Sequence, residues 1–357
     1  MAFSLSSLFT KSSARGTRSV VGIDIGSSSI KLVQLHDKKG VPTLDTYGEL
    51  QLGPYGGVEI GRVTQLDQKK LIEAVVDILR ESSVTTKNAA VAVSYSASFA
   101  TVVDLDTIDQ GEIQNRVPVE ARKYIPVPLS EVTLDWFPIA VDQANTKTKV
   151  MMAAIHNTAL DKYTAVTQSA SLQTVLTELE IFSAVRSSAA QSDGTVAVLD
   201  MGAGATKLFI AKQGVVHKTH SVRMGGLEIT KNIAEASSLS FKDAEALKRT
   251  FSLQDGDEKT RKVITKVLER GFQEIHKVIT KYEQTENTEV ERVVLSGSGA
   301  MLVGMQTYAQ DILQHKVAYS DSFSKVAYPA FLEDTLVEAG PVFATAIGVA
   351  LQALLSE

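Results

Sequence analysis

An aspartate in an apolar strand, followed at once by glycine and serines, is the first feature of this sequence that could do chemistry. Asp24 is followed by Gly26, Ser27 and Ser28. A carboxylate in such a strand needs a partner, because an unpaired buried charge is costly. Glycine lets the backbone approach a ligand, and serine hydroxyls beside backbone N–H groups can hold a phosphate. Lys31 either adds charge to this site or lies on the solvent face. One such turn alone is more typical of an ordinary hairpin.

A second segment repeats the pattern without a gap, which indicates an internal duplication. The aligned pairs are Asp24 and Asp200, Gly26 and Gly202, Lys31 and Lys207, and Leu32 and Leu208. With Gly204 and Thr206, the second copy could hold a phosphate chain against the first. Both aspartates would then bind Mg²⁺ mostly through water, since Mg²⁺ usually keeps several waters at phosphate sites. The alternative is that two duplicated turns have kept their glycines for geometry only.

A glycine turn after a third apolar strand points to the same place. Gly297, Ser298 and Gly299 follow the strand that begins at Val293 and precede a predicted helix N-terminus. Backbone donors at a helix N-terminus favour anions and hydroxyl groups. A lone Gly-Ser-Gly is a weak motif. Its value here comes from its order, third after two matched hairpins.

Length and composition limit the kind of protein that carries these turns. The chain has 357 residues, of which 44% are hydrophobic and 22% charged, and its formal net charge is -5. This length predicts about two domains, each with its own core. The acidic balance argues against nucleic acid as a partner, because phosphate neutralisation needs a basic face. The chain has no cysteine, which excludes disulfides and thiolate chemistry and fits a reducing cytoplasm.

Alternating strand and helix patterns favour an α/β fold made of two related halves with a cleft between them. The most apolar stretch, from Ala339 to Leu355, falls short of the roughly 20 apolar residues of a spanning helix, so we expect a buried helix. The predicted division is a flexible N-terminal tail (1–19), a first half (20–97 and 177–195), an inserted module (98–176), a second half (196–340, with a helical part at about 226–291) and a C-terminal helix packing back on the first half (341–357).

The order of the three turns resembles that of the actin-like ATPase superfamily, which includes actin, DnaK-type chaperones, sugar kinases and FtsA. Within it, the segments Val21–Leu35, Lys123–Trp136 and Gly225–Thr230 resemble the PilM family of type IV pilus assembly proteins, which is related to FtsA. The resemblance runs from about Val20 to Leu355, and its first two segments are the specific ones. It implies an actin-like ATPase fold, with duplicated ribonuclease-H-like halves and an FtsA-type inserted subdomain.

The resemblance also implies ATP or ADP with Mg²⁺ as the ligand. Asp24 and Asp200 match the magnesium-facing aspartates of the two phosphate loops. The positions that match the surroundings of the nucleotide are Gly26, Ser27, Ser28, Lys31, Gly202, Gly204 and Thr206 at the phosphates, Gly297, Ser298 and Gly299 in the adenosine loop, Gly225 and Gly226 in a Gly-Gly turn, and Glu245 and Lys248 in a Glu-x-x-Lys motif. The last two share one helix face, so a solvated surface ion pair is the alternative for them.

Glu180 is the candidate catalytic residue. It lies where relatives enter the connection between the halves, and it could position the attacking water. It could equally be a helix N-terminal acid that the helix dipole favours. Hydrolysis needs positioning and charge stabilisation in a closed cleft. We expect ATP binding with slow or absent turnover.

The family resemblance implies a role in assembly. We expect this chain to bind the cytoplasmic N-terminal peptide of the inner-membrane protein PilN, in a groove between the first half and the 98–176 module. Other pilus inner-membrane and motor components are further expected partners, and homo-oligomers are compatible with this role. The protein would be cytoplasmic and peripheral to the inner membrane, through its partner only. Pro118 interrupts a helical stretch of the module and is expected to kink it, which affects the groove.

Two other functions stay open at this point. An FtsA-like cell-division protein that forms filaments is the nearer alternative, since FtsA shares the inserted subdomain. A small-molecule kinase of the same superfamily is the other alternative. A kinase would need a second substrate pocket and a catalytic base facing the γ-phosphate, and no aspartate in the sequence stands out for that role.

Overall fold

The computed structural model describes residues 19–142 and 146–355. The predicted tail lies outside this part of the chain, except for Ser19, which begins the first strand. The described strands are β1 (Ser19–Ile25), β2 (Ser29–Lys38), β3 (Val41–Gln51), β4 (Asn88–Val93), β5 (Ser98–Leu105), β6 (Val132–Val141), β7 (Thr148–His156), β8 (Gln173–Leu179), β9 (Thr195–Met201), β10 (Thr206–Lys212), β11 (Val215–Val222), β12 (Arg292–Ser296) and β13 (Val317–Tyr319). The described helices are α1 (Gln68–Glu81), α2 (Gln110–Ala121), α3 (Asn157–Ser169), α4 (Glu180–Ser188), α5 (Gly226–Ser237), α6 (Phe241–Thr250), α7 (Glu258–Glu286), α8 (Met305–Leu313) and α9 (Glu333–Leu355).

Two five-stranded sheets with the same topology form the two halves. The first has the order β3-β2-β1-β4-β8 and the second β11-β10-β9-β12-β13. In both, a central strand pairs antiparallel with the next strand of its hairpin and parallel with the strand on its other side. Apolar runs from Val20 to Ile23 and from Val196 to Leu199 bury these central strands. The duplication predicted from the two Asp-x-Gly segments is therefore confirmed as a duplicated fold.

The chain passes between the two halves in α4 and α9, and these helices pack directly on each other. Gly348 of α9 lies against the backbone of Ser183 in α4, so closely that a Cβ at position 348 would collide with the Ser183 carbonyl oxygen. Glycine at this position therefore sets the distance between the two connections. Because glycine has no side chain, the backbones of α4 and α9 can meet where the chain passes between the halves.

Replacing Gly348 with alanine is expected to lower the free energy of unfolding by about 1–3 kcal/mol, the usual cost of overpacking. Intrinsic helix propensity acts the other way, since alanine is better than glycine inside a helix by up to about 1 kcal/mol. Gly111→Ala in α2 is the matched control, because the nearest atom to its added Cβ is a side-chain oxygen of Asp109 at 3.2 Å, and no backbone atom of another described helix lies nearby. Urea unfolding should show the control unchanged or more stable. Equal effects of the two substitutions would contradict the steric argument.

Helix α9 is longer than the predicted segment 341–357, because it begins at Glu333. Within the described residues it is the helix whose length and composition would allow it to cross a membrane, and 72% of its apolar window is buried inside the protein. Leu336, Phe343, Ile347 and Ala350 pack against the first sheet. The expected buried helix is confirmed, and its apolar character is explained by the core that it fills.

The inserted module is a three-stranded sheet of order β5-β7-β6 with α2 on one face. Helix α2 continues past Pro118 to Ala121. The other face of the sheet shares one apolar cluster with the second half of the protein: Ala100 and Met151 of the module lie in the same cluster as Phe209 and Val216. The module thus packs on both halves, which the sequence did not predict.

Candidate functional site

The two Asp-x-Gly hairpins have matching geometry and lie tip to tip. In the first, Asp24 pairs in register with Lys31, and the turn is closed by a hydrogen bond from the Gly26 N–H to the Ser29 carbonyl at 3.0 Å. In the second, the equivalent bond from Gly202 to Ala205 is also 3.0 Å. A Cβ on Gly204 would lie 3.9 Å from Oγ of Ser27. The fold therefore brings together two turns that lie far apart in the sequence.

A cavity of about 390 Å³ lies between these hairpins. The predicted site residues that line it are Asp24, Gly26, Ser27, Ser28, Lys31, Glu180, Asp200, Gly202, Gly226, Glu245, Lys248, Gly297, Ser298 and Gly299. Three predicted residues do not line it. Thr206 is fully buried and its hydroxyl donates to the Met224 carbonyl at 2.6 Å, while Gly225 caps α5 against Ala203, and Gly204 lies at the hairpin tip. The fold uses the Thr206 hydroxyl to fix β10 rather than to face the cavity.

The third turn needs glycine for two physical reasons. Gly297 has φ 82°, in the left-handed region that favours glycine. A Cβ there would also lie 2.7 Å from Oδ1 of Asp200 and 2.6 Å from the Met201 carbonyl oxygen. The Gly297 N–H donates to the Pro341 carbonyl at 2.7 Å, which ties the turn to α9. The backbone of this turn thus lies directly beside the Asp200 carboxylate.

The surroundings of Asp24 oppose the ionisation of its carboxyl group. Burial raises the pKa of its carboxyl group from 3.8 to about 6. The charge of Lys31 lowers it, while the nearby carboxylates of Glu180 and Asp200 raise it further. A bound cation would stabilise the ionised form of Asp24, because its charge would offset both the cost of desolvation and the repulsion from the nearby carboxylates.

Lys207 joins the carboxylates of the second hairpin and the candidate catalytic residue. Its Nζ lies 3.0 Å from Oδ2 of Asp200 and 2.8 Å from Oε1 of Glu180. Burial by itself would lower the pKa of Lys207, but these two carboxylates outweigh it and raise the pKa well above its usual value. Lys207 is a site residue that was not predicted from the sequence, although its alignment with Lys31 is a signal that could have identified it.

Glu180 is the first residue of α4 and is 4% exposed. Besides Lys207, its carboxylate contacts the backbone N–H of Tyr95, which donates to it at 2.5 Å. Glu180 thus occupies the helix N-terminal position given above as the alternative to a catalytic role, and the catalytic role stays a prediction. Glu180 therefore lies at the cavity wall with two donors already bound to one of its oxygens.

Glu245 and Lys248 form a buried network and not a solvated surface pair. Glu245 is 5% exposed and accepts hydrogen bonds from Lys248, Thr230 and Arg249 at 2.6–2.8 Å. The Lys248 ammonium lowers the pKa of Glu245 against the effect of burial. A Cβ on Gly61 would lie 2.5 Å from the Glu245 carboxyl carbon, so the loop between β3 and α1 reaches across the cavity mouth. Gly61 and Arg249 also line the cavity, and neither was predicted from the sequence.

The donor set fits a magnesium nucleotide. No group of three or more His, Asp or Glu side chains in the described ranges could hold a metal ion unaided. Mg²⁺ commonly takes one or two carboxylates and completes its shell with phosphate oxygens and water. Asp24 and Asp200 would supply the carboxylates of such a site, and Lys31, with the serine hydroxyls and glycine N–H groups of the turns, would supply phosphate donors.

A family model matches almost all of this chain. The model described as type IV pilus assembly protein PilM matches residues 22–354, which is nearly the whole chain. The chain belongs to the PilM family. Apart from Val21, the residues of the three segments quoted above for the PilM resemblance lie in this range. The family predicted from the sequence is therefore confirmed, and with it a place in type IV pilus assembly.

Solved structures share the fold of this PilM family protein, and curated relatives match part of its sequence. The chain in a PilM-PilN type IV pilus biogenesis complex superimposes with a TM-score of 0.80 at 24% identity, covering 94% of this chain and 98% of that one. The ethanolamine utilization protein EutJ of Carboxydothermus hydrogenoformans gives a TM-score of 0.56 at 19% identity, covering 93% and 89%. The cell division protein FtsA of Agrobacterium fabrum is 24% identical over 178 residues, which cover 43% of this chain and 39% of FtsA. The actin-like ATPase fold is thereby confirmed.

Proposed function

We propose that this PilM family protein binds ATP or ADP with Mg²⁺ in the cavity between its two hairpins. The observation that carries the proposal is the convergence of Asp24, Asp200 and the Gly297 turn on one cavity of about 390 Å³. The two aspartates would hold the metal, and Lys31 and the hairpin turns would hold the phosphates. The Glu245–Lys248 pair and the Gly297 turn would flank the adenosine. Bound metal would supply charge neutralisation of the phosphates.

Binding with slow or no turnover is the enzymatic behaviour that we propose. Efficient hydrolysis requires a group free to position the attacking water. Oε1 of Glu180 already accepts from both Lys207 and Tyr95. These two contacts hold the carboxylate in one orientation, which limits how it can follow and orient an attacking water. This supports ATP as a structural or switching ligand, and hydrolysis through Glu180 stays a prediction.

The proposed role is a link between the pilus inner-membrane complex and the cytoplasmic machinery. The structure of a PilM-PilN complex supports binding of the cytoplasmic N-terminal peptide of a PilN protein by this chain. The groove that we propose lies between the first half and the 98–176 module. Such binding would hold a cytoplasmic protein at the inner membrane through its partner.

Titration of the purified full chain with a PilN N-terminal peptide, with and without Mg·ATP, tests this role. Saturable peptide binding is the expected result, together with saturable Mg·ATP binding. ATP turnover stimulated by a hydroxyl-bearing small molecule, without peptide binding, would instead favour a kinase. Sedimentation of filaments with ATP and lipid would favour the FtsA-like alternative. A scrambled peptide of the same composition is the control.

A further inference from the structure

We propose that Glu180 is a positioning residue that couples the nucleotide cavity to the inserted module. The inference rests on the proposed nucleotide binding and goes beyond it, because it names how the state of the cavity reaches a separate part of the protein. Its basis is that one carboxylate oxygen is shared by a cavity lysine and by the backbone at the entrance of the module.

The cavity side of this link is an ion-pair chain. Glu180 Oε1 lies 2.8 Å from Nζ of Lys207, and Lys207 lies 3.0 Å from Asp200. The side chains of these three residues are at most 19% exposed, so solvent screens their interactions little. Any cation or anion that arrives beside Asp200 changes how strongly Lys207 is held by each of its two carboxylates.

The module side of the link begins at the same oxygen. Glu180 Oε1 accepts the N–H of Tyr95, the first residue of a single 3-10 turn that leads directly into β5. The Tyr95 ring lies 6.4 Å from that of Phe209 in the second half. The Tyr95 hydroxyl contacts Oγ1 of Thr219 at 3.4 Å, and Thr219 donates to the Ala100 carbonyl in β5 at 3.2 Å. The backbone and the side chain of Tyr95 thus fix the entrance to the module from two directions.

Sharing one acceptor makes the two contacts interdependent. A carboxylate oxygen that is relieved of part of its ammonium partner becomes a stronger acceptor for its remaining donor, since bonds to an ionised acceptor are the strong ones. When phosphates draw Lys207 away from Glu180, the bond from Tyr95 to Glu180 is strengthened. The entrance of the module is then held more firmly, although no ligand touches it.

Hydrogen–deuterium exchange of the full chain, with and without saturating Mg·ATP, tests this coupling. In the unaltered protein, we expect Mg·ATP to slow amide exchange at the first hairpin, around Gly26. We also expect it to slow exchange over Tyr95–Leu105 by a factor of about five or more, since five is the lower end of usual coupling factors. In Glu180→Gln, which keeps an oxygen for Tyr95 but loses the charge, the hairpin should still respond while the module response falls below twofold. Glu286→Gln is the matched control, because it removes the charge from the module's ion pair with α7, neither member of which lines the cavity, and it should behave like the unaltered protein.

The outcomes separate this inference from the proposed function. A protected hairpin with an unresponsive module, or a full module response in Glu180→Gln, would overturn the coupling and leave nucleotide binding intact. If Mg·ATP does not slow exchange at the first hairpin, nucleotide binding is overturned, and Lys207→Met without nucleotide tests the coupling instead. Lys207→Met should slow exchange at Tyr95 when it is made in the unaltered protein, but should have no effect when it is made in Glu180→Gln. Equal effects in both backgrounds would contradict it.

Discussion

Replacing Asp24 with asparagine is expected to weaken Mg·ATP binding by about 30-fold or more while making the nucleotide-free protein more stable at neutral pH. The loss of affinity corresponds to about 2 kcal/mol, the lower end of the cost of removing one partner from a buried charge pair. The gain in stability has a separate cause. The unaltered protein keeps a carboxylate ionised at neutral pH in a place where burial and the carboxylates of Glu180 and Asp200 oppose ionisation.

The pH dependence of the stability gain follows from the pKa of Asp24, which is about 6 in the folded protein and 3.8 ordinarily. Between these values the folded state binds more protons than the unfolded state, so the stability of the unaltered protein falls as the pH rises from about 4 to about 6. Asparagine does not titrate. The variant should therefore be more stable by on the order of 2–3 kcal/mol above pH 7, and the difference should vanish below about pH 4.

Calorimetric titration with Mg·ATP and thermal melts across this pH range measure both effects of Asp24→Asn. Asp104→Asn is the control, since that carboxylate is 55% exposed and lies in the module. It should leave both nucleotide affinity and the pH profile unchanged. Normal Mg·ATP binding by the Asp24→Asn variant would show that Asp24 of the first hairpin does not contribute to nucleotide binding. A variant with no gain in stability would show that ionisation of Asp24 does not destabilise the nucleotide-free protein.

Replacing Arg186 with methionine is expected to lower the free energy of unfolding by about 3–5 kcal/mol, the cost of leaving a buried charge without its partner. Arg186 makes two hydrogen bonds to Glu178, at 2.5 and 3.0 Å, and a third to the Gly348 carbonyl at 2.9 Å. The Glu178 side chain is 4% exposed and also accepts from Ser183. This ion pair ties β8, α4 and α9 together where the chain passes between the halves, so its loss should affect the whole molecule.

The same substitution on an exposed ion pair is the control for this prediction. Arg80→Met removes contacts with Asp77 and Glu81 from an arginine that is 67% exposed, and should cost at most about 1 kcal/mol. Urea unfolding curves of the two variants provide the comparison. Similar small losses in both would mean that Glu178 finds water or another donor, and that the pair does not hold the two connections together.

The local order of this fold could be predicted from the sequence, because its signals are local. A short apolar run between polar residues, such as Asn88–Val93, predicts a buried strand from the sequence alone, and β4 is observed with these bounds. The Asp-x-Gly hairpins were predicted because glycine turns punctuate apolar runs in both copies. The third strand of each hairpin sheet, β3 and β11, was not predicted. Leu44 is the buried hydrophobic residue of β3, so its sequence shows little of the alternation that indicates a strand.

The sequence by itself determined the family, the two related halves and the chemistry of the three turns, because residue types and spacing carry that information. Only the tertiary structure decided what those residues contact. Lys207 joins Asp200 to Glu180, Glu180 reaches Tyr95, and the module packs on Phe209 of the second half. These contacts join residues distant in the chain, and they depend on how whole sheets and helices pack. The packing of sheets and helices, and not the local sequence, buries Asp24 and so raises its pKa, and it places Lys207 between Asp200 and Glu180.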